Sequence, residues 1–108
     1  MMADVIQVLE DVKKYDKQVD EQLVTSIFRS LGPVVYNKDT RYVVCSDAYE
    51  LEMIREGFLV RQLKLQLSRE ELDKALEETC LRMAESPLKL RVTFYYLLVK
   101  RFHKEALF

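Results

Sequence analysis

Three side chains carry the thiol and imidazole chemistry of this sequence: Cys45, Cys80 and the single histidine, His103. A zinc site needs several such ligands at converging positions, and a Cys–His nucleophile pair needs the two groups within hydrogen-bond reach. The spacing favours neither. His103 stands beyond the last apolar run, Cys80 falls on an apolar helical stripe, and Cys45 lies in or beside a loop. Cys80 therefore reads as a small buried hydrophobe. Cys45 precedes a helix start, where a thiol pKa is lowered, but a core-filling role beneath the helix cap is the simpler expectation. An enzyme or redox sensor centred on Cys45 is the weakest functional reading. No catalytic, cofactor-binding or metal-ligating residue is expected.

Oxygen and nitrogen chemistry is plentiful but dispersed. The carboxylate pairs Glu70-Glu71, Glu77-Glu78 and Glu50 with Glu52 have the look of solvated helix faces and helix-start charge. Two glycines, Gly32 and Gly57, cannot build a phosphate-cradling loop. The side chains that could meet an anion or a partner are Arg55, Arg61, Arg91, Tyr96, Lys100, Arg101 and Lys104, with Lys64 and Arg69 able to extend the same positive surface. Arg91 fits a structural ion pair between elements better than an anion clamp. Tyr95 belongs to an apolar stripe, with its hydroxyl reaching a partner at the rim. Tyr96, between Thr93 and Lys100, is either a contact residue or a core-edge tyrosine covered by a neighbouring helix.

These residues must be positioned by helices. Scarce glycine and proline, two of each, speak against an all-β chain rich in tight turns. The first helix is expected from about Asp4 to Tyr15, with Val5, Val8, Leu9, Val12 and Tyr15 at helical intervals. The second follows the N-cap Asp20 and carries Leu23, Val24, Ile27, Phe28 and Leu31, stopping at Gly32-Pro33. Between residues 34 and 44, Val34-Val35-Tyr36 and Tyr42-Val43-Val44 form either a small hairpin or a helical turn with a packed loop. The third helix opens at Ser46-Asp47, with Glu50 completing a capping box, and runs on a stripe of Leu51, Ile54, Phe58, Gln62 and Leu65. The fourth opens on the Ser68/Glu71 capping box and carries Leu72, Leu76, Cys80 and Met83. The fifth is expected from Ser86-Pro87, with Leu88, Val92, Tyr95, Val99 and Phe102 on one face and Leu90, Phe94, Leu97 and Leu98 beside it. A helix apolar over most of its circumference is normally central, so this one is the expected hub. Gly57 remains within the third helix and suggests a close helix crossing.

Four blocks in this order resemble a family of small, uncharacterised bacterial proteins classed as a domain of unknown function. They are Val12-Lys13-Lys14-Tyr15, Leu31-Gly32, Cys45-Ser46-Asp47 with Glu50-Leu51, and Arg91-Val92-Thr93-Phe94-Tyr95-Tyr96-Leu97-Leu98. The resemblance implies a mainly helical, cytoplasmic, bacterial protein and supplies no activity or catalytic residue. In such proteins a glycine after Leu65 would close the third helix, and here the residue is Gln66.

The expected architecture is one domain over residues 1–108, all-α or nearly so, with five helices, a central C-terminal helix and a short irregular or hairpin segment near 34–44. A formal charge of -1 gives no global field for nucleic acid or anionic lipid. It hides an acidic fourth helix and a basic fifth, which complement one another most simply within the fold. Two unframed cysteines suggest reduced thiols and a cytoplasmic location. Neither a signal peptide nor a membrane span is expected: the N-terminal turns are acidic, and the longest apolar run is Phe94 to Val99. The preferred functional reading is a non-enzymatic protein-interaction module, self-associating as a homodimer or binding another protein, through a helix face or the 34–44 segment. The alternative is an accessory nucleic-acid or anion binder using the basic residues named above, and no cofactor is expected.

Overall fold

The computed structural model describes residues 5–108 and shows a mainly helical fold. The start expected at Asp4 lies outside the described residues. Five α-helices follow in order: α1 (Val5–Lys13), α2 (Glu21–Leu31), α3 (Ala48–Met53), α4 (Arg69–Arg82) and α5 (Arg91–Phe102). α3 runs directly into wider π-helical turns over Ile54–Gln62. Two short strands, β1 (Tyr42–Val43) and β2 (Lys89–Leu90), pair antiparallel with Tyr42 opposite Leu90.

α5 is the hub. Every residue from Arg91 to Val99 is buried, and α1, α2 and α4 all pack against it. Thr93 and Tyr96, the polar side chains in this run after Arg91, are covered as well. Thr93 donates to Asp11 of α1 at 2.5 Å, and Tyr96 donates to Asp16 at 2.5 Å while accepting the Asp20 N–H at 3.0 Å. A buried polar group needs such partners, and the end of α1 and the loop after it supply them.

The caps follow the sequence closely. Asp20 accepts the Leu23 N–H, and Gly32 closes α2 at φ +60°, where a Cβ would be strained. Pro33 does not end helical structure outright; it opens a 3₁₀ turn over Gly32–Tyr36. Ser68 and Glu71 form both halves of their capping box. Asp47 caps α3 by accepting from Tyr49 and Glu50 N–H groups, while the Glu50 carboxylate turns instead to Arg91.

Several expectations are corrected. Of the two forms open to 34–44, the helical turn is the one present: residues 34–36 lie in the 3₁₀ turn, and Tyr42–Val43 pair with residues 89–90 rather than within a hairpin. That pairing keeps Leu90 extended and delays α5 to Arg91, leaving Pro87 outside the helix and Leu88 60% exposed. In the third helix, Leu63 donates its N–H to the Phe58 carbonyl, five residues back, at 2.8 Å. The extra residue per turn moves Leu63 into the core and leaves Gln62 exposed. The left-handed residue after this helix is Lys64 at φ 59°, not Gln66, and the Leu65 N–H reaches back to the Leu59 carbonyl at 3.1 Å. A Cβ on Gly57 would meet nothing within 4 Å, so no helix crosses closely there. Cys45 and Cys80 are joined in a disulfide, Cα atoms 6.0 Å apart, across a sequence separation of 35. They are not the two separate thiols expected: the loop leading into α3 brings Cys45 against α4.

Candidate functional site

A groove of about 400 Å³ opens between α3 with its π-helical extension and the segment running from the end of α2 to Thr40. Leu31, Val34, Met53 and Phe58 give it apolar walls, and Gly57 leaves one wall without a side chain. Its size lies within the range of small-ligand pockets, and π-helical turns recur at functional sites. Tyr49 and Met53, which also line it, are 69% and 53% exposed.

The polar floor is built around Arg91. Its Nε donates to the Thr40 carbonyl at 2.6 Å, and Nη2 donates to the Tyr42 carbonyl at 3.1 Å and to Glu50 Oε1 at 2.5 Å. Nη1 donates to the Tyr95 hydroxyl at 3.3 Å. The Arg91 backbone N–H adds a bond to the Arg41 carbonyl at 2.7 Å, so one residue fixes the 40–42 loop to the start of α5. Burial works against the Arg91 charge, but Tyr95 and Glu50 outweigh it and hold the guanidinium pKa above its ordinary value. Burial also raises the Tyr95 pKa, with Arg91 opposing, so the phenol stays protonated. The Tyr95 ring stacks on Phe58 with centroids 3.9 Å apart, which joins the polar floor to the apolar wall.

A wider hollow of about 760 Å³ is bordered by Lys14, Arg82 and Glu85. Its inner polar groups already hold one another: Tyr15 bonds Ser86 at 2.6 Å, and Arg82 donates to the Tyr15 carbonyl at 2.6 Å. The groove below α3 differs in combining apolar walls with unfinished hydrogen bonding at its base.

The candidate contact residues are distributed differently from the sequence expectation. Arg91 is in the groove, as the element-bridging ion pair. Tyr96 is fully buried under α1 and its following loop, so the core-edge alternative describes it. Arg55 is 6% exposed and paired with Glu56 and Asp73, both at 2.8 Å. Arg101 pairs with Glu78 of α4 at 2.5 Å and Lys100 with Glu105 at 3.4 Å. The contact between α4 and α5 is thus where the acidic and basic helices meet. Arg61 and Lys104 make no ion pair among the described residues. The groove-lining Glu50, Met53 and Phe58 were not singled out as a site from the sequence; the exposed aromatic Tyr49 beside Glu50 was the available signal.

No helix among the described residues is long and apolar enough to cross a membrane. A family model described as Protein of unknown function (DUF2853) matches residues 7–106. The chain belongs to this family. The match spans both strands and every α-helix except the first residues of α1, and so the whole lining of the groove. No curated protein matches the chain.

Proposed function

We propose that this protein is a non-enzymatic interaction module that binds a protein partner through the groove between α3 and the 34–40 segment. The observation that carries this reading is the apolar cleft, with Tyr49 and Met53 in its lining largely exposed, over a floor where Arg91 and Glu50 neutralise one another. Aromatic and methionine side chains are enriched in protein interfaces, and methionine adapts its shape to what it meets. Arg91, Glu50 and Tyr95 are occupied in holding one another and the 40–42 loop, an arrangement suited to a binding floor. The accessory anion-binding reading has less to draw on, because Arg55, Arg91 and Arg101 face carboxylates of the same chain. A bacterial origin completes the reading; the Cys45–Cys80 disulfide favours an oxidising compartment over the cytoplasm that two separate thiols would suit.

The test is the Gly57→Phe variant, which places a ring in open space within the groove. Affinity capture and sedimentation velocity are run on the wild type and the variant, with circular dichroism to confirm folding. The expected result is a retained partner, or a concentration-dependent dimer, that the folded variant loses. Equal capture and equal self-association by both proteins would remove the groove from the account.

A further inference from the structure

We propose that the groove recognises an uncharged peptide amide: one apolar side chain of a partner enters the cleft, and the adjoining backbone amide hydrogen-bonds to Glu50 and Tyr95. The inference rests on the groove being the binding site and adds what it selects.

The donors and acceptors of the floor decide the chemistry. A guanidinium has five N–H bonds. Arg91 directs one to Thr40, one to Tyr42, one to Glu50 and one to Tyr95. Its charge is met by Glu50, so an incoming carboxylate or phosphate would have to compete with that pair. Glu50 uses Oε1 on Arg91, and its Oε2 has no partner among the described residues. Tyr95 accepts from Arg91, and its own hydroxyl proton has no acceptor among the described residues, although the residue is only 9% exposed. The floor therefore offers the Tyr95 hydroxyl and the fifth Arg91 N–H as donors and Glu50 Oε2 as acceptor, with no net charge. An amide supplies the complement, with a carbonyl to accept from Tyr95 and an N–H to donate to Glu50. A charged head group would lose its hydration without gaining a counter-ion, a larger penalty than an amide meets.

The occupant is a peptide because part of the apolar lining is open to solvent. Tyr49 and Met53 line the cavity while remaining largely exposed, so they can also meet the residues flanking an inserted side chain.

The experiment is a titration of the ¹⁵N-labelled full chain with three probes sharing one ring: N-acetylphenylalaninamide, N-acetylphenylalanine and phenethylammonium. Amide-signal shifts at Glu50, Gly57 and Tyr95 report occupancy of the groove. The expected result is binding of the amide about tenfold tighter than either charged probe. Tyr95→Phe, with a dispersed spectrum to show it folds, is expected to reduce that preference to about twofold or less while leaving the ring's affinity for the cleft. A blocked tripeptide with central phenylalanine is expected to bind several-fold tighter than the single amide. Groove shifts of equal strength with all three probes would overturn the amide assignment alone. A tripeptide no tighter than the single amide would make the occupant a small molecule and overturn the peptide assignment. No groove shift with any probe would overturn both this inference and the reading beneath it.

Discussion

Glu50 and Arg91 are 41 residues apart in sequence and meet at 2.5 Å, joining the first turn of α3 to the first turn of α5. The pair also decides where the 40–42 loop lies, because the same guanidinium holds the Thr40 and Tyr42 carbonyls. Removing Arg91 leaves those carbonyls and a half-buried carboxylate without their donor. Arg91→Met is therefore expected to lower unfolding free energy by about 3–5 kcal/mol, the range for breaking a buried pair from one side. Glu50→Gln keeps an acceptor for Arg91 and should cost less, about 1–2 kcal/mol. Urea denaturation of the two single variants and the double variant measures this. The double variant should cost less than the sum, and strict additivity would mean the pair is not coupled.

The contact of Tyr96 with Asp16 makes stability depend on pH at both extremes. The hydrogen bond from Tyr96 holds the Asp16 pKa below its ordinary value against the opposing effect of burial. A carboxylate whose folded pKa is depressed contributes stability above its unfolded pKa, near 3.9, and loses it as pH falls through the folded value. Burial, followed by the bond to Asp16, pushes Tyr96 up to about 12. A phenol raised in this way contributes fully below its unfolded pKa, near 10, and loses that contribution as pH climbs through the folded value. Tyr96→Phe should flatten the stability profile below pH 4 and above pH 10, with a loss of about 1–2 kcal/mol near neutrality. Thermal melts across pH 3–11 decide it: an unchanged profile in the variant would show that another group titrates there.

Much of this scaffold is written locally. Asp20, Ser68 with Glu71, and Gly32 mark helix ends by chemistry confined to a few residues, and the structure uses each where the sequence places it. The nine consecutive buried residues from Arg91 to Val99 likewise follow from apolar density alone. Most of the failures involve partners distant in sequence. Leu88 looked like the first turn of α5 because nothing nearby reveals that Tyr42 will pair with Leu90. The choice between a contact residue and a covered core-edge tyrosine stayed open at Tyr96 because its partner, Asp16, is 80 residues away. The π-helical turns were invisible because Phe58 to Gln62 satisfies an α period as well as Phe58 to Leu63 satisfies a π one. The groove inherits that problem, since its walls come from both sides of the α2–α3 connection.

The Cys45–Cys80 bond ties the entry of α3 to the last turns of α4. Closing a loop of this length removes entropy from the unfolded chain, and the chain-entropy estimate is about 3–4 kcal/mol. Reductant should lower the denaturation midpoint accordingly without abolishing the fold, because α5 and its neighbours make a core of their own. The Cys45→Ser, Cys80→Ser double variant should match the reduced wild type and ignore reductant. Thiol alkylation followed by intact-mass measurement provides the chemical check: the native oxidised chain should take up no label until reduced. Two labels on the unreduced protein would contradict the bond.

Backbone conformation predicts opposite signs for small changes at three positions. Gly32 sits at φ +60° and ψ −135°, a region that side chains rarely adopt, so Gly32→Ala should destabilise by about 1–3 kcal/mol despite the open space around it. Lys64 is a non-glycine residue at φ 59°, closing the π-helical turns through the Leu65 to Leu59 bond. Relief of its left-handed strain should make Lys64→Gly stabilising by up to about 1 kcal/mol. Gly57 has neither positive φ nor a neighbour within 4 Å of an added Cβ. Gly57→Ala removes freedom from the unfolded chain at no steric cost and should stabilise by about 0.5–1 kcal/mol. Equilibrium denaturation of the three variants orders them as Gly32→Ala below wild type, with Lys64→Gly and Gly57→Ala above it. A destabilised Gly57→Ala would mean that the open groove wall has a structural function beyond leaving room for a ligand.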